Sequence, residues 1–185
     1  MKFYENRHHH DDVWKDFMLD ALGQMPRGSI LEFGVADGTS ALFICNHIGQ
    51  RELHGFDWFR GLPESWYTWE AGHFDTNGQC RVKHPNLRIF NGLFADTLPS
   101  YLANSDDSFA FVHIDCDLYS STKTIFDLCH ERIVTDTILV FDEALWHKDF
   151  MEHEGLAFIE FSKTYDKKYE VIGATSDGQM SVRIK

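Results

Sequence analysis

From Ile30 onward, short apolar runs alternate with amphipathic stretches, and this alternation restricts the fold more than any other feature of the chain. The runs are Ile30–Val35, Leu53–Asp57, Leu87–Asn91, Phe109–Ile114 and Thr137–Phe141. Their length and composition read as strands, and Phe109–Ile114 is apolar enough to be covered on both faces. Between and after them, helical patterns occupy about Thr39–Ile48, Asp96–Ala103, Ser121–Arg132 and Phe150–Tyr165. Strands that alternate with helices form a parallel sheet with helices on both faces. Glu170–Ala174 and Met180–Ile184 flank the turn Ser176-Asp177-Gly178, a hairpin signal.

The expected architecture is therefore α/β. It is a Rossmann-like, mostly parallel sheet of seven strands with an antiparallel carboxy-terminal hairpin and helices on both faces. A chain of 185 residues suits one such domain, over 30–185, preceded by a helical segment over 1–29. In that segment Val13, Trp14, Phe17, Met18 and Leu22 recur at helical spacing, with Asp11 and Asp12 at the electropositive start. Gly23, Pro26 and Gly28 end the helix. The stretch Trp58–Pro85 shows no period and carries Trp66, Tyr67, Trp69 and Phe74. A connection this long reads as a lid or binding loop.

The net charge of −12 narrows the partners. Such a surface repels phosphate backbones and anionic lipid, which argues against nucleic acid and membrane and for a small molecule. No apolar run approaches the ~20 residues that span a bilayer. The start MKFYENRHHHDD has no apolar signal core, so a cytoplasmic setting is expected. Cys45, Cys80, Cys116 and Cys129 contain no CxxC pair, which fits reduced thiols and argues against a zinc or redox motif. The run His8-His9-His10 reads as a solvated terminus.

The first strand ends in Glu32-Phe33-Gly34-Val35-Ala36-Asp37-Gly38-Thr39-Ser40. Gly34 and Gly38 let the backbone turn sharply, and the following helix offers free N–H groups to an anionic group. The glycines stand four apart, with an acid two residues before the first, which is not the dinucleotide pattern GxGxxG. Asp57 ends the second strand 19 positions after Gly38, where an acid accepts hydrogen bonds from ribose hydroxyls. Glu32, Gly34, Gly38, Thr39, Ser40, Asp57 and the adjacent Trp58 are the candidate nucleoside-binding residues.

A second constellation is acidic. The fourth strand ends His113-Ile114-Asp115-Cys116-Asp117 and the fifth ends Phe141-Asp142-Glu143. In neighbouring parallel strands Asp115, Asp142 and Glu143 converge, and carboxylates so close repel unless protonated or bound to a cation. An all-oxygen set suits Mg²⁺, Mn²⁺ or Ca²⁺. A cation there can bind two oxygens of a diol and lower the pKa of one. Of the 11 histidines, only His113 and His147 lie beside these acids, and His113 reads as a satisfied sheet residue.

These residues carry a family resemblance. LEFGVADGTS (31–40), HGFDWFRGLPESW (54–66), GLFADTLP (92–99), VHIDCDLYSST (112–122), ILVFDE (138–143) and GLAFIEF (155–161) resemble the macrocin-type O-methyltransferases. Those are metal-dependent enzymes that methylate sugar hydroxyls on natural products. The resemblance implies S-adenosylmethionine as cofactor and Mg²⁺, or another divalent cation, on Asp115, Asp142 and Glu143. It also implies a hydroxyl-bearing small molecule, a sugar or diol, as acceptor. The family has Asp-Asp where this chain has Asp142-Glu143, and its amino-terminal segment is often longer. Asp117, the second acid of the DxD pattern, and His147 are the competing candidates for general base; with Asp115 they form the candidate catalytic set. A homodimer stays open. So do a metal-independent O- or N-methyltransferase, a nicotinamide-dependent oxidoreductase and a non-catalytic binding protein.

Overall fold

The computed structural model describes residues 1–5, 10–143 and 152–185. In chain order the described elements are β1 (Lys2–Tyr4), α1 (His10–Leu22), β2 (Ser29–Phe33), α2 (Thr39–His47), β3 (Leu53–Asp57) and β4 (Leu87–Asn91). Then come α3 (Phe94–Ala103), β5 (Phe109–Ile114), α4 (Tyr119–Cys129), β6 (Ile138–Phe141), α5 (Glu154–Thr164), β7 (Tyr169–Thr175) and β8 (Met180–Ile184). They form one 8-stranded sheet in the order β1-β7-β8-β6-β5-β2-β3-β4. All pairings are parallel except β6–β8 and β7–β8, so the antiparallel hairpin is where the sequence placed it.

The strand count differs from seven because Lys2–Tyr4 pairs in parallel with β7, Lys2 opposite Gly173. Lys2 and Phe3 are exposed, so this edge strand carries no apolar alternation by which sequence could reveal it. The segment before Ser29 thus contributes a strand as well as a helix. α3 begins at Phe94, two residues before the expected start, so that the acid Asp96 falls within its first turn rather than opening it.

Period-2 alternation divides the sheet's side chains between two cores. Leu31, Phe33, Val112, Ile114, Leu139 and Phe141 face the side covered by α3, α4 and α5. There Phe126 of α4 stacks on Phe161 of α5 with centroids 4.4 Å apart. Ile30, Phe111, Ile138 and Val140 face the opposite side, against Phe17 and Met18 of α1 and Ile44 of α2. β2, β5 and β6 are buried along their whole length, which explains their near-continuous apolar composition. β2 lies between β5 and β3, so successive connections leave it in opposite directions. Open α/β sheets bind ligands beyond the carboxyl ends of the strands at such a reversal.

Candidate functional site at the strand tips

Register decides which acids meet. Ile114 pairs with Phe141, and the Asp142 N–H donates to the Ile114 carbonyl at 3.1 Å, so Asp142 stands beside Asp115. On the other flank the Asp115 N–H donates to the Phe33 carbonyl at 2.9 Å. Gly34 then passes directly over the Asp115 backbone, with φ of +90°. A Cβ on Gly34 would lie 1.7 Å from the Asp115 carbonyl oxygen, so the glycine is required by packing as well as by its dihedral.

Two cavities flank this junction. The larger, about 720 Å³, is lined by Gly34, Asp57, Trp58, Phe74, Asp115, Asp117, Asp142 and Glu143 among others. The smaller, about 250 Å³, lies under α1 and is lined by Trp14, Thr39, Ser40, His113, Asp115 and Asp142 among others. Asp115 and Asp142 form part of both walls.

The candidate nucleoside residues divide between them. Gly34, Asp57 and Trp58 line the larger cavity, and Thr39 and Ser40 the smaller. Gly38 caps α2 in the left-handed conformation and lines neither; Val82, folded back from the long loop, lies against it. Glu32 also lines neither cavity. It is fully buried, and its Oε1 is 2.9 Å from His113 Nδ1. Its Oε2 is buried without a hydrogen-bond partner among the described residues.

Asp57 Oδ2 accepts from the Val35 and Ala36 N–H groups at 2.9 and 2.8 Å, and Oδ1 accepts from Phe59 N–H at 2.6 Å. Three of its four acceptor positions therefore brace the turn. One remains for a ribose hydroxyl; receiving two requires the turn to release an N–H.

Crowding raises the acids. Burial, then the Asp142 carboxylate, pushes Asp117 up to about 7. Partial burial at the wall, with Asp117 and Asp142 beside it, pushes Glu143 to about 8. Asp115 is held well above the usual carboxylate range by burial first, then by Asp142 and Asp117. The native protein thus binds protons between about pH 4 and 8 that the unfolded chain releases. Stability that is full at about pH 4 is lost as pH rises through 7 and 8. The expected result for cation-free protein is a fall in melting temperature on the order of 5 °C from about pH 5 to 8.5. Differential scanning fluorimetry in Mg²⁺- or Mn²⁺-containing buffer should show a smaller fall.

The donor chemistry fits a divalent cation. One ring nitrogen of His113 and one carboxylate oxygen each from Asp115 and Asp142 lie within 4.8 Å of one another. Glu143 lines the larger cavity beside Asp117 and Asp142 but is not in that triad. His147 lies outside the described residues.

Two site residues escaped the sequence reading. Glu154, the first residue of α5, is 1% exposed, and its Oε1 accepts from the Cys116 and Asp117 N–H groups at 3.1 and 3.2 Å. It holds the Asp115–Asp117 turn, in which Asp117 has φ of +63°. Gln179, in the β7–β8 turn, donates from Nε2 to Asp142 Oδ1 at 2.8 Å. Both reach the site from distant chain positions, so no local spacing could reveal them.

The long loop is partly anchored. Leu62 and Trp66 pack with Leu118 at the start of α4, and the Ser120 hydroxyl donates to Glu64. Tyr67, Trp69 and Phe74 stay exposed, and Phe74 sits at the wall of the larger cavity. Among the described residues no helix is long and apolar enough to cross a membrane, and all four cysteines are free.

A family model described as a methyltransferase domain matches residues 31–144, more than half of the chain. No curated protein matches by sequence. Among solved structures, the chain is similar to CalS11, a calicheamicin methyltransferase, with TM-score 0.75 and 21% identity over 94% of this chain and 80% of that one. It is similar to the O-methyltransferase NovP with TM-score 0.69 and 16% identity over 95% and 82%. It also resembles TomG, an O-methyltransferase of Streptomyces achromogenes involved in tomaymycin synthesis and solved with S-adenosylmethionine. Here the TM-score is 0.58 and the identity 14% over 96% and 82%. At these identities the likeness is one of fold.

Proposed function

Since this chain belongs to the methyltransferase domain family, we propose that it transfers a methyl group from S-adenosylmethionine to a hydroxyl of a small molecule, using a divalent cation. The observation that carries this reading is the Asp115–Asp142 pair on the wall shared by both cavities. The acceptor class is a sugar or diol, supported by the macrocin-type motifs and by CalS11, described as a TDP-rhamnose 3′-O-methyltransferase.

S-adenosylmethionine supplies the electrophilic methyl group. Thr39 and Ser40, at the start of α2, would offer their hydroxyls and the Ser40 N–H to the methionine end, the Thr39 N–H being taken by Asp37 Oδ1, and Asp57 and Trp58 would face the nucleoside. Asp115 and Asp142, with Glu143 beside them, would hold the cation, which when bound would supply the charge that lowers the pKa of the acceptor hydroxyl. Asp117 accepts the hydroxyl proton. Its place on the cavity wall with Asp115, Asp142 and Glu143 puts it within reach of a hydroxyl that the cation would already have acidified. Glu154 fixes the Asp117 backbone so that its carboxylate stays at the cavity wall. Positioning of the hydroxyl against the methyl donor by these residues would supply much of the rate.

The test is methyl transfer to a panel of sugars and diols after chelator treatment. Activity should vanish and return with Mg²⁺ or Mn²⁺; full activity in excess chelator would remove the cation from this reading. Asp57→Ala should weaken S-adenosylhomocysteine binding by roughly 10- to 100-fold, read by calorimetry. Because Asp57 also braces the turn, the variant should melt a few degrees lower. Unchanged affinity would exclude Asp57 from the cofactor site.

A further inference from the structure

His113 is a buried sheet residue, 2% exposed, yet its ring lines the smaller cavity. His113 of β5 lies opposite Val140 of β6, and Asp115 and Asp142, the first residues past those strands, line the same smaller cavity. Glu32 lies opposite His113 in the register, and its Oε1 takes the Nδ1 side of the ring at 2.9 Å. The other ring nitrogen, Nε2, has no hydrogen-bond partner among the described residues. Gln179 meanwhile holds Asp142 Oδ1 at 2.8 Å, which fixes the neighbouring carboxylate.

We propose that His113 is a nitrogen ligand in a His113–Asp115–Asp142 cation site, oriented by Glu32, and that the site takes a first-row transition ion in preference to Mg²⁺ or Ca²⁺. The chemistry differs from that of an all-oxygen set. Imidazole favours Mn²⁺, Fe²⁺, Co²⁺ or Zn²⁺, whereas carboxylates and water suit Mg²⁺ and Ca²⁺. A ligating histidine almost always gives its second ring nitrogen to a carboxylate or carbonyl, and Glu32 is already in that position. Glu143, outside the triad, is left to the larger cavity with Asp117. The proposal deepens the methyl-transfer reading and rests on it for the role of the Asp115–Asp142 pair.

The experiment is pulsed electron paramagnetic resonance on full-length protein loaded with Mn²⁺ alone, with His8, His9 and His10 changed to alanine to remove adventitious binding. A ¹⁴N modulation from imidazole is expected. It should disappear in His113→Gln, with Mn²⁺ affinity reduced at least about tenfold and Mg²⁺ affinity within about threefold. Glu32→Gln should keep the ¹⁴N signal but weaken Mn²⁺ roughly 10- to 100-fold, so a poorly folded His113 variant does not end the test. No ¹⁴N modulation in the parent, or its persistence in His113→Gln, overturns the proposal. So does displacement of Mn²⁺ by saturating S-adenosylhomocysteine, which would give the cavity to the cofactor's amine. Failure here with chelator-sensitive methyl transfer intact leaves the methyl-transfer reading standing. Nitrogen-ligated Mn²⁺ without any methyl transfer has the opposite meaning.

Discussion

Asp142→Asn is expected to lower methyl transfer by about 10³-fold while raising the stability of the cation-free protein. The two effects have one cause. Asp142 appears among the carboxylates that raise Asp115, Asp117 and Glu143, so its charge is unfavourable in the empty site and required in the loaded one. Asparagine keeps the shape, and its carbonyl oxygen still accepts from Gln179, which limits the change to charge. Loss of several kcal/mol of electrostatic stabilisation at the reacting hydroxyl corresponds to about three powers of ten in rate. Relief of repulsion should raise the melting temperature of chelator-treated protein by a few degrees at about pH 8. The measurements are initial rates at saturating Mg²⁺ and paired thermal scans. Full activity in the variant would remove the cation site as proposed, and a lower melting temperature would show that the acids are not in conflict.

Gly34→Ala should have the largest structural effect of any single methyl added to the chain. The new Cβ would meet the Asp115 carbonyl oxygen at 1.7 Å and its carbon at 2.7 Å, both backbone atoms just past the tip of the adjacent strand β5. Neither can swing away as a side-chain tip can. The φ of +90° adds strain that alanine cannot relieve. A loss of about 3 kcal/mol is expected, a shift on the order of 10 °C for a chain of this length. Asp115 must move with its backbone, so S-adenosylhomocysteine binding and turnover should fall together. Gly49→Ala is the control: its φ is also positive, +66°, but nothing lies within 4 Å of a Cβ there. Its cost should stay near 1 kcal/mol. Equal stability of the two variants would show that β2 and β5 are not as tightly apposed as described.

The contrast between these positions shows how much was legible beforehand. β3, β4, β5 and β8 coincide with the apolar runs read from the chain, because a short run of apolar and aromatic residues bounded by turn residues is a local signal; it marks even the edge strand β4, whose Arg88 and Asn91 are exposed. The turn at Gly34 and the acids at Asp115 and Asp142 were legible for a similar reason: each stands at the end of such a run. Glu32 was read as facing the cofactor, yet it lies under the turn against His113, because alternation points it to the interior beneath α1 and α2. Asp57 was read as free for ribose, yet it is mostly engaged with Val35, Ala36 and Phe59.

What the order of residues determined by itself is the set of elements and the chemistry at each strand tip, since hydrophobic period and chain-local spacing suffice for both. What tertiary structure alone decided is which tips share a wall and which side chains support them. Glu154 beneath Asp117, Gln179 on Asp142, and Lys2–Tyr4 along β7 are contacts between residues far apart in the chain. Such contacts depend on register and on which face each side chain occupies. Only closing the sheet fixes those two quantities, because a slip of one residue would reverse every side chain on a strand.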